Sequence, residues 1–172
     1  MIILLTSLLF LFQDTLWHSE KSPNGDILVV FVRNDSLEQH EVWLTEIKNP
    51  NNKFNLYTFN RHVTINFSAD ERWIVINNFI GSNISIIELF KRTEFLHYNN
   101  INANVDGKAW NLYSSITSSN DISTFIHRYS EFIKWRKNST SFQLKIWAYD
   151  DSVHCVNDWF CNYDVNSLKA FK

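Results

Sequence analysis

The residues best suited to chemistry crowd into one stretch near the end of the chain, Tyr149 to Cys161, which reads YDDSVHCVNDWFC. Asp150, Asp151, His154, Cys155, Asp158 and Cys161 all carry groups that can ligate a metal or move a proton. Their spacing matches neither paired C-x-x-C motifs, nor H-E-x-x-H, nor an EF-hand loop. The stretch therefore reads first as a solvated loop. As a metal site it would draw weakly on Asp150, Asp151, His154 and Asp158. As a small hydrolase it would use the same acidic and histidine cluster, with Asp151 and His154 at its centre.

Cys155 and Cys161 are the only cysteines. In an exported chain they could pair. A disulfide needs Cα atoms within about 7 Å, whereas six residues of straight strand span roughly 20 Å. The bridge thus requires residues 156 to 160 to curl. If a strand begins at Trp159, Cys161 is instead a small buried hydrophobe.

The six histidines stand apart, at positions 18, 40, 62, 97, 127 and 154. They read as surface or packing residues. No G-x-S-x-G elbow and no glycine-rich phosphate loop accompany them, and no cofactor is expected. Five of the seven tryptophans, Trp43, Trp73, Trp135, Trp147 and Trp159, fall inside strand-like runs. Exposed, they would form a stacking platform for sugars or bases; buried, they are core, and core is the favoured reading. Trp17 could cover an edge.

With 16 basic and 18 acidic residues the net charge is -2, which gives no support to nucleic-acid binding. The opening MIILLTSLLFLF is apolar over about 12 residues, too short to span a membrane and the length of a secretory signal's core. It lacks a basic flank and an A-x-A-like site, so a buried first element is the alternative. Residues 1–18 are read as the signal and 19–172 as one domain working in the periplasm or outside the cell. If 1–12 is a core segment, the protein is cytoplasmic.

The elements that must position these groups are short and β-rich. ILVVFVR (27–33), EVWLTEI (41–47), FNLYTF (54–59), HVTINF (62–67), RWIVIN (72–77), ISIIELF (84–90), 132–135, 142–149 and 159–165 all read as strands between turn clusters. With only three glycines and two prolines, asparagine is expected to do much of the turn work, as at Asn51-Asn52, Asn77-Asn78 and Asn99-Asn100. A short helix is expected at 122–130, capped by Asp121, within an insertion at 101–126.

One phrase recurs. SPNGDILVVF begins at Ser22 and SADERWIVIN at Ser68, 46 residues on, and WRKNSTSFQLKIWAYD follows after a longer gap. Each is a turn, a strand, a loop and a strand, and the first two stand at close to the ~40–45-residue period of a propeller blade. Ser22-Pro23-Asn24-Gly25 and, in weaker form, Ser68-Ala69-Asp70-Glu71 resemble the S-P-D-G turn of WD40-like β-propeller repeats. Residues 20–172 look like uncharacterised secreted bacterial proteins built from such repeats. The resemblance implies an all-β fold: an incomplete or small propeller-like arrangement of antiparallel sheets, with a β-sandwich or barrel as the alternative. The chain reads as a non-catalytic interaction or structural module with a protein or glycan partner and no transmembrane anchor, and an incomplete propeller would leave open sheet edges through which it could oligomerise.

Overall fold

Strand-forming residues dominate every segment between turns, and the chain folds accordingly. The computed structural model describes residues 15–34, 39–118, 125–150 and 155–172. The first sheet comprises β1 (Thr15–Lys21), β2 (Ile27–Asn34), β3 (Gln39–Glu46) and β4 (Lys53–Phe59). The second comprises β5 (His62–Phe67), β6 (Trp73–Phe79), β7 (Ile86–Arg92) and β8 (Tyr98–Asn100). The third comprises β9 (His127–Trp135), β10 (Ser141–Tyr149), β11 (Cys155–Asp164) and β12 (Lys169–Phe171). Each is an antiparallel meander in chain order. This is a propeller-like stack whose sheets do not close into a ring.

The recurring phrases are the same turn. Ser22 N–H donates to Ile27 O and Gly25 N–H to Ser22 O, both at 2.9 Å. Ser68 N–H donates to Trp73 O and Glu71 N–H to Ser68 O, again at 2.9 Å. In the third copy Arg136 N–H donates to Ser141 O at 2.8 Å and Ser139 N–H to Arg136 O at 3.1 Å. The fourth residue is left-handed in all three, with φ of 77° at Gly25, 54° at Glu71 and 55° at Ser139. In the first two copies the serine hydroxyl also accepts from the residue that opens the next strand, Ile27 N–H at 3.3 Å and Trp73 N–H at 3.0 Å. Each turn joins the first two strands of its sheet.

The interval from the second turn to the third is longer because the β8–β9 connection carries a helix, α1 (Val105–Thr117). The helix lies within the expected insertion but not at 122–130. Residues 127–130 belong to β9, and Asp121 and Ile122 lie outside the described residues. The cap is Asn104, whose side chain accepts from Gly107 N–H at 3.2 Å. A Cβ at Gly107 would meet that side chain at 2.5 Å, so the cap requires glycine there. Val105, Ala109 and Trp110 are buried, and α1 packs against β7, β11 and β12.

The asparagine expectation holds only in part. Asn102 and Asn104 are left-handed, as turn residues should be. Asn77-Asn78 and Asn99-Asn100, however, lie inside β6 and β8. Strands β1, β8 and β12 were not expected, being short or poor in β-branched residues.

The second sheet is buried on both faces. Ile74, Ile76, Phe90 and Tyr98 pack with Ile27, Val29, Val42 and Leu44 of the first sheet. On the opposite face Trp73, Val75, Ile87 and Leu89 pack with α1 and with Phe142, Leu144, Ile146 and Tyr163 of the third sheet. Along β6 successive residues alternate between these two cores, the period of two expected of a strand.

Polar contacts clasp neighbouring sheets together. Asn24 N–H of the first turn donates to Glu71 Oε1 of the second at 2.8 Å, and Arg92 pairs with the other Glu71 oxygen at 3.6 Å. Between the second and third sheets, Asn77 donates to Ser130 O at 3.1 Å and accepts from Phe132 N–H at 2.7 Å. Ser85 Oγ donates to Ser130 O at 2.8 Å and accepts from Ser130 N–H at 3.1 Å. Trp135 Nε1–H adds a bond to Asn66 O at 3.1 Å.

Candidate functional site

The acidic stretch does not assemble as a centre among the described residues. Asp151 and His154 lie outside them. Asp150 follows the end of β10 and is half-buried. Asp158 lies on β11 and pairs with Lys145 at 3.6 Å, and Lys145 also meets Glu131 at 3.1 Å. No group of three His, Cys, Asp or Glu side chains converges as a metal site among the described residues.

The disulfide expectation is corrected. Cys155 and Cys161 are free thiols on the single strand β11, facing Tyr149 and Leu144 respectively on β10. Residues 156–160 run extended rather than curled, which holds the two sulfurs apart. Cys155 is exposed. Cys161 is buried in the core between the second and third sheets, and burial pushes its thiol up to about 12 although Lys172 pulls the other way.

The five described histidines each lie against an aromatic ring. The pairs are His18 with Phe31, His40 with Phe59, His62 with Phe79, His97 with Phe54 and His127 with Tyr149. Of the tryptophans, Trp73 and Trp110 are core. Trp43 and Trp147 are not: each is half-buried on the face of its sheet turned away from the second sheet, with a lysine ammonium over its ring. Trp135 and Trp159 are half-buried at the margin of the core.

Two places gather functional potential. One is a cleft of about 390 Å³ where α1 meets the junction of β7 and β9, lined by Ile84, Ile86, Asp106, Trp110, Arg128 and Ser130 among others. Asp106, in the first turn of α1, accepts from Ile87 N–H at 3.1 and 3.2 Å. Burial pushes its carboxyl up to about 6, with the Glu88 charge adding to the rise. The Ser130 hydroxyl stands close enough to pull it back down, yet no hydrogen bond of normal geometry reaches that buried Oγ. Sequence reasoning missed this site. Asp106 and Arg128 are 22 positions apart in the chain, and nothing in their spacing signals that they share a cleft.

The other place is the outward face of the third sheet. Tyr129 stacks on Trp147 with centroids 4.9 Å apart, and His127 stacks on Tyr149 at 4.3 Å. Lys145 Nζ lies 4.4 Å from the Trp147 ring centre. The ring faces are thus engaged with one another. Around them Ile133, Tyr149 and Phe160 are 37%, 43% and 41% exposed. Among the described residues no helix is long and apolar enough to cross a membrane.

No family model and no curated protein matches the chain. Solved structures do. The β-propeller domain of the Trilobed protease from Pyrococcus furiosus, which has an open velcro topology, matches with a TM-score of 0.52 at 10% identity, over 91% of this chain and 40% of that one. TolB from Acinetobacter baumannii matches with a TM-score of 0.48 at 10% identity, over 91% of this chain and 31% of that one. The chain spans less than half the length of either. At this identity the likeness is one of fold: three sheets stacked as in a β-propeller, left unclosed.

Proposed function

We propose that this chain is a non-catalytic, exported interaction module that offers the outward face of its third sheet to a protein partner. The observation that carries the reading is the exposure of Ile133, Tyr149 and Phe160 on that face, where the second sheet, by contrast, is covered on both sides. Large apolar side chains gathered on one surface mark interaction sites more often than scattered ones do. A protein suits the face better than a glycan, because the Trp147 ring is already engaged by Tyr129, stacked on it, and by the Lys145 ammonium over it. A sugar ring would have to displace one of them. Glu131, Lys145 and Asp158 supply a mixed-charge border, as protein interfaces have at their rims.

Export rests on the apolar opening segment. Removal of residues up to Asp14 leaves β1 whole, whereas removal up to His18 would cut it. N-terminal sequencing of the secreted protein tests this.

The interaction reading is tested with Tyr149→Glu combined with Phe160→Glu. Chemical cross-linking in the native host should trap the wild-type chain in a defined complex, and the double variant should lose that complex while keeping its melting temperature within a few degrees. A wild-type chain that sediments as a monomer and cross-links to nothing the variant loses refutes the reading.

A further inference from the structure

The cleft between the second and third sheets lies apart from the outward face and does not depend on its reading. Its walls are fixed by backbone. Arg128 N–H donates to Asn83 O at 3.0 Å and Arg128 O accepts from Ser85 N–H at 3.3 Å. Ser130 is held at both backbone groups by Ser85 and Asn77. Ser130 is 1% exposed, its hydroxyl buried beside the Asp106 carboxyl rather than open to the cavity. The Arg128 guanidinium has no ion-pair partner among the described residues, although Asp106 lines the same cleft. A carboxyl and a guanidinium that share a cavity without neutralising each other are complementary to a molecule carrying both opposite charges. The rest of the lining is mixed, with apolar Ile84, Ile86 and Trp110 beside Ser85 and Asn111. A volume of about 390 Å³ lies within the ~300–1,000 Å³ typical of small-molecule sites.

We propose that this cleft binds a small zwitterion, an α-amino acid with an apolar side chain, its ammonium on Asp106 and its carboxylate on Arg128. The side chain lies against Ile84, Ile86 and Trp110. Binding requires the Asp106 carboxylate, so it strengthens as pH rises. The groups acting on that carboxyl are Ser130 on β9 and the Ile87 N–H and Glu88 on β7, and Arg128 lines the same cleft. With the carboxyl at about 6, affinity should be about tenfold weaker at pH 5 than at neutral pH.

Calorimetric titration of the whole chain separates the charges, with L-leucine, L-phenylalanine, leucinamide (no carboxylate) and 4-methylpentanoate (no ammonium) as probes. L-Leucine or L-phenylalanine should bind, and the two truncated probes should bind at least tenfold more weakly than leucine. Asp106→Asn should bring leucine down to the level of 4-methylpentanoate. Arg128→Gln should bring it down to the level of leucinamide, with both variants folded by circular dichroism. The proposal fails if neither amino acid binds at about 10 mM, if leucinamide or 4-methylpentanoate binds as well as leucine, or if both variants bind leucine as the wild type does.

Discussion

Replacing Asn77 by alanine tests whether the second and third sheets are held together by polar contacts as well as by their shared core. Asn77 is 1% exposed and spends its amide on two backbone groups of β9. Ser130 O keeps a second donor in Ser85 Oγ, so losing the first costs only about 1 kcal/mol. Phe132 N–H loses its side-chain acceptor in a partly buried seam, which costs roughly 1–3 kcal/mol more. The sum is about 3 kcal/mol, or a fall of roughly 10 °C in melting temperature for a chain of this size. Urea titration followed by tryptophan fluorescence measures it. Ser85→Ala shares the Ser130 carbonyl with Asn77, so the two substitutions should couple by at least ~0.5 kcal/mol in a double-mutant cycle. A cost below about 1 kcal/mol for Asn77→Ala, with additive behaviour in the cycle, would show that the seam contributes nothing beyond apolar packing.

Further outcomes follow from the same structure. The Asp106 carboxyl is raised from its ordinary 3.8 to about 6, so the folded state holds that proton more tightly and stability falls as pH rises through this window. The loss reaches up to ~3 kcal/mol; Asp106→Asn escapes it, and the variant's melting advantage should widen from about pH 4 to pH 7, whereas parallel curves would contradict the placement. Gly25 adopts φ of 77° with no atom within 4 Å of a built Cβ, so Gly25→Ala should cost about 1 kcal/mol through backbone strain alone, while Ser139→Gly, at φ 55°, should be neutral or stabilising on thermal melting. Iodoacetamide should label Cys155 in the native protein and reach Cys161 only after denaturation, since burial suppresses its thiolate; two labels on the native chain would be inconsistent with β11 as described.

The strands were legible because their side chains carry the signal: HVTINF at 62–67 is bounded as read, and ILVVFVR misses only Asn34. The repeat was legible where serine opens the turn and fainter where arginine does. The hydrogen bonds that define the third copy are main-chain to main-chain, and they leave little mark on residue type beyond the left-handed fourth position. The position of the helix is not legible in the sequence because the apolar spacing of Ile122, Phe125, Ile126 and Tyr129 competes with that of Val105, Ala109 and Trp110, and what decides it is the Asn104 side chain on Gly107 N–H and the docking of that apolar face. Asparagine misled for a related reason: at Asn77 it satisfies a neighbouring sheet's backbone rather than turning the chain. The Asp106 cleft left no trace, since it depends on where the insertion docks.

The two apolar cores share no residue, and the second sheet supplies opposite faces to each. The first sheet is therefore joined to the second through one core and the polar links of Asn24 to Glu71 and of Tyr57 to Asn78 and Glu88, whereas the third sheet is joined through its own core, a longer set of hydrogen bonds and α1. Amides of β2 and β3 should then exchange with deuterium through an opening that leaves β10 protected. The chain would behave as a scaffold of the second sheet, α1 and the third sheet, carrying a more loosely tethered leaf at its amino-terminal end.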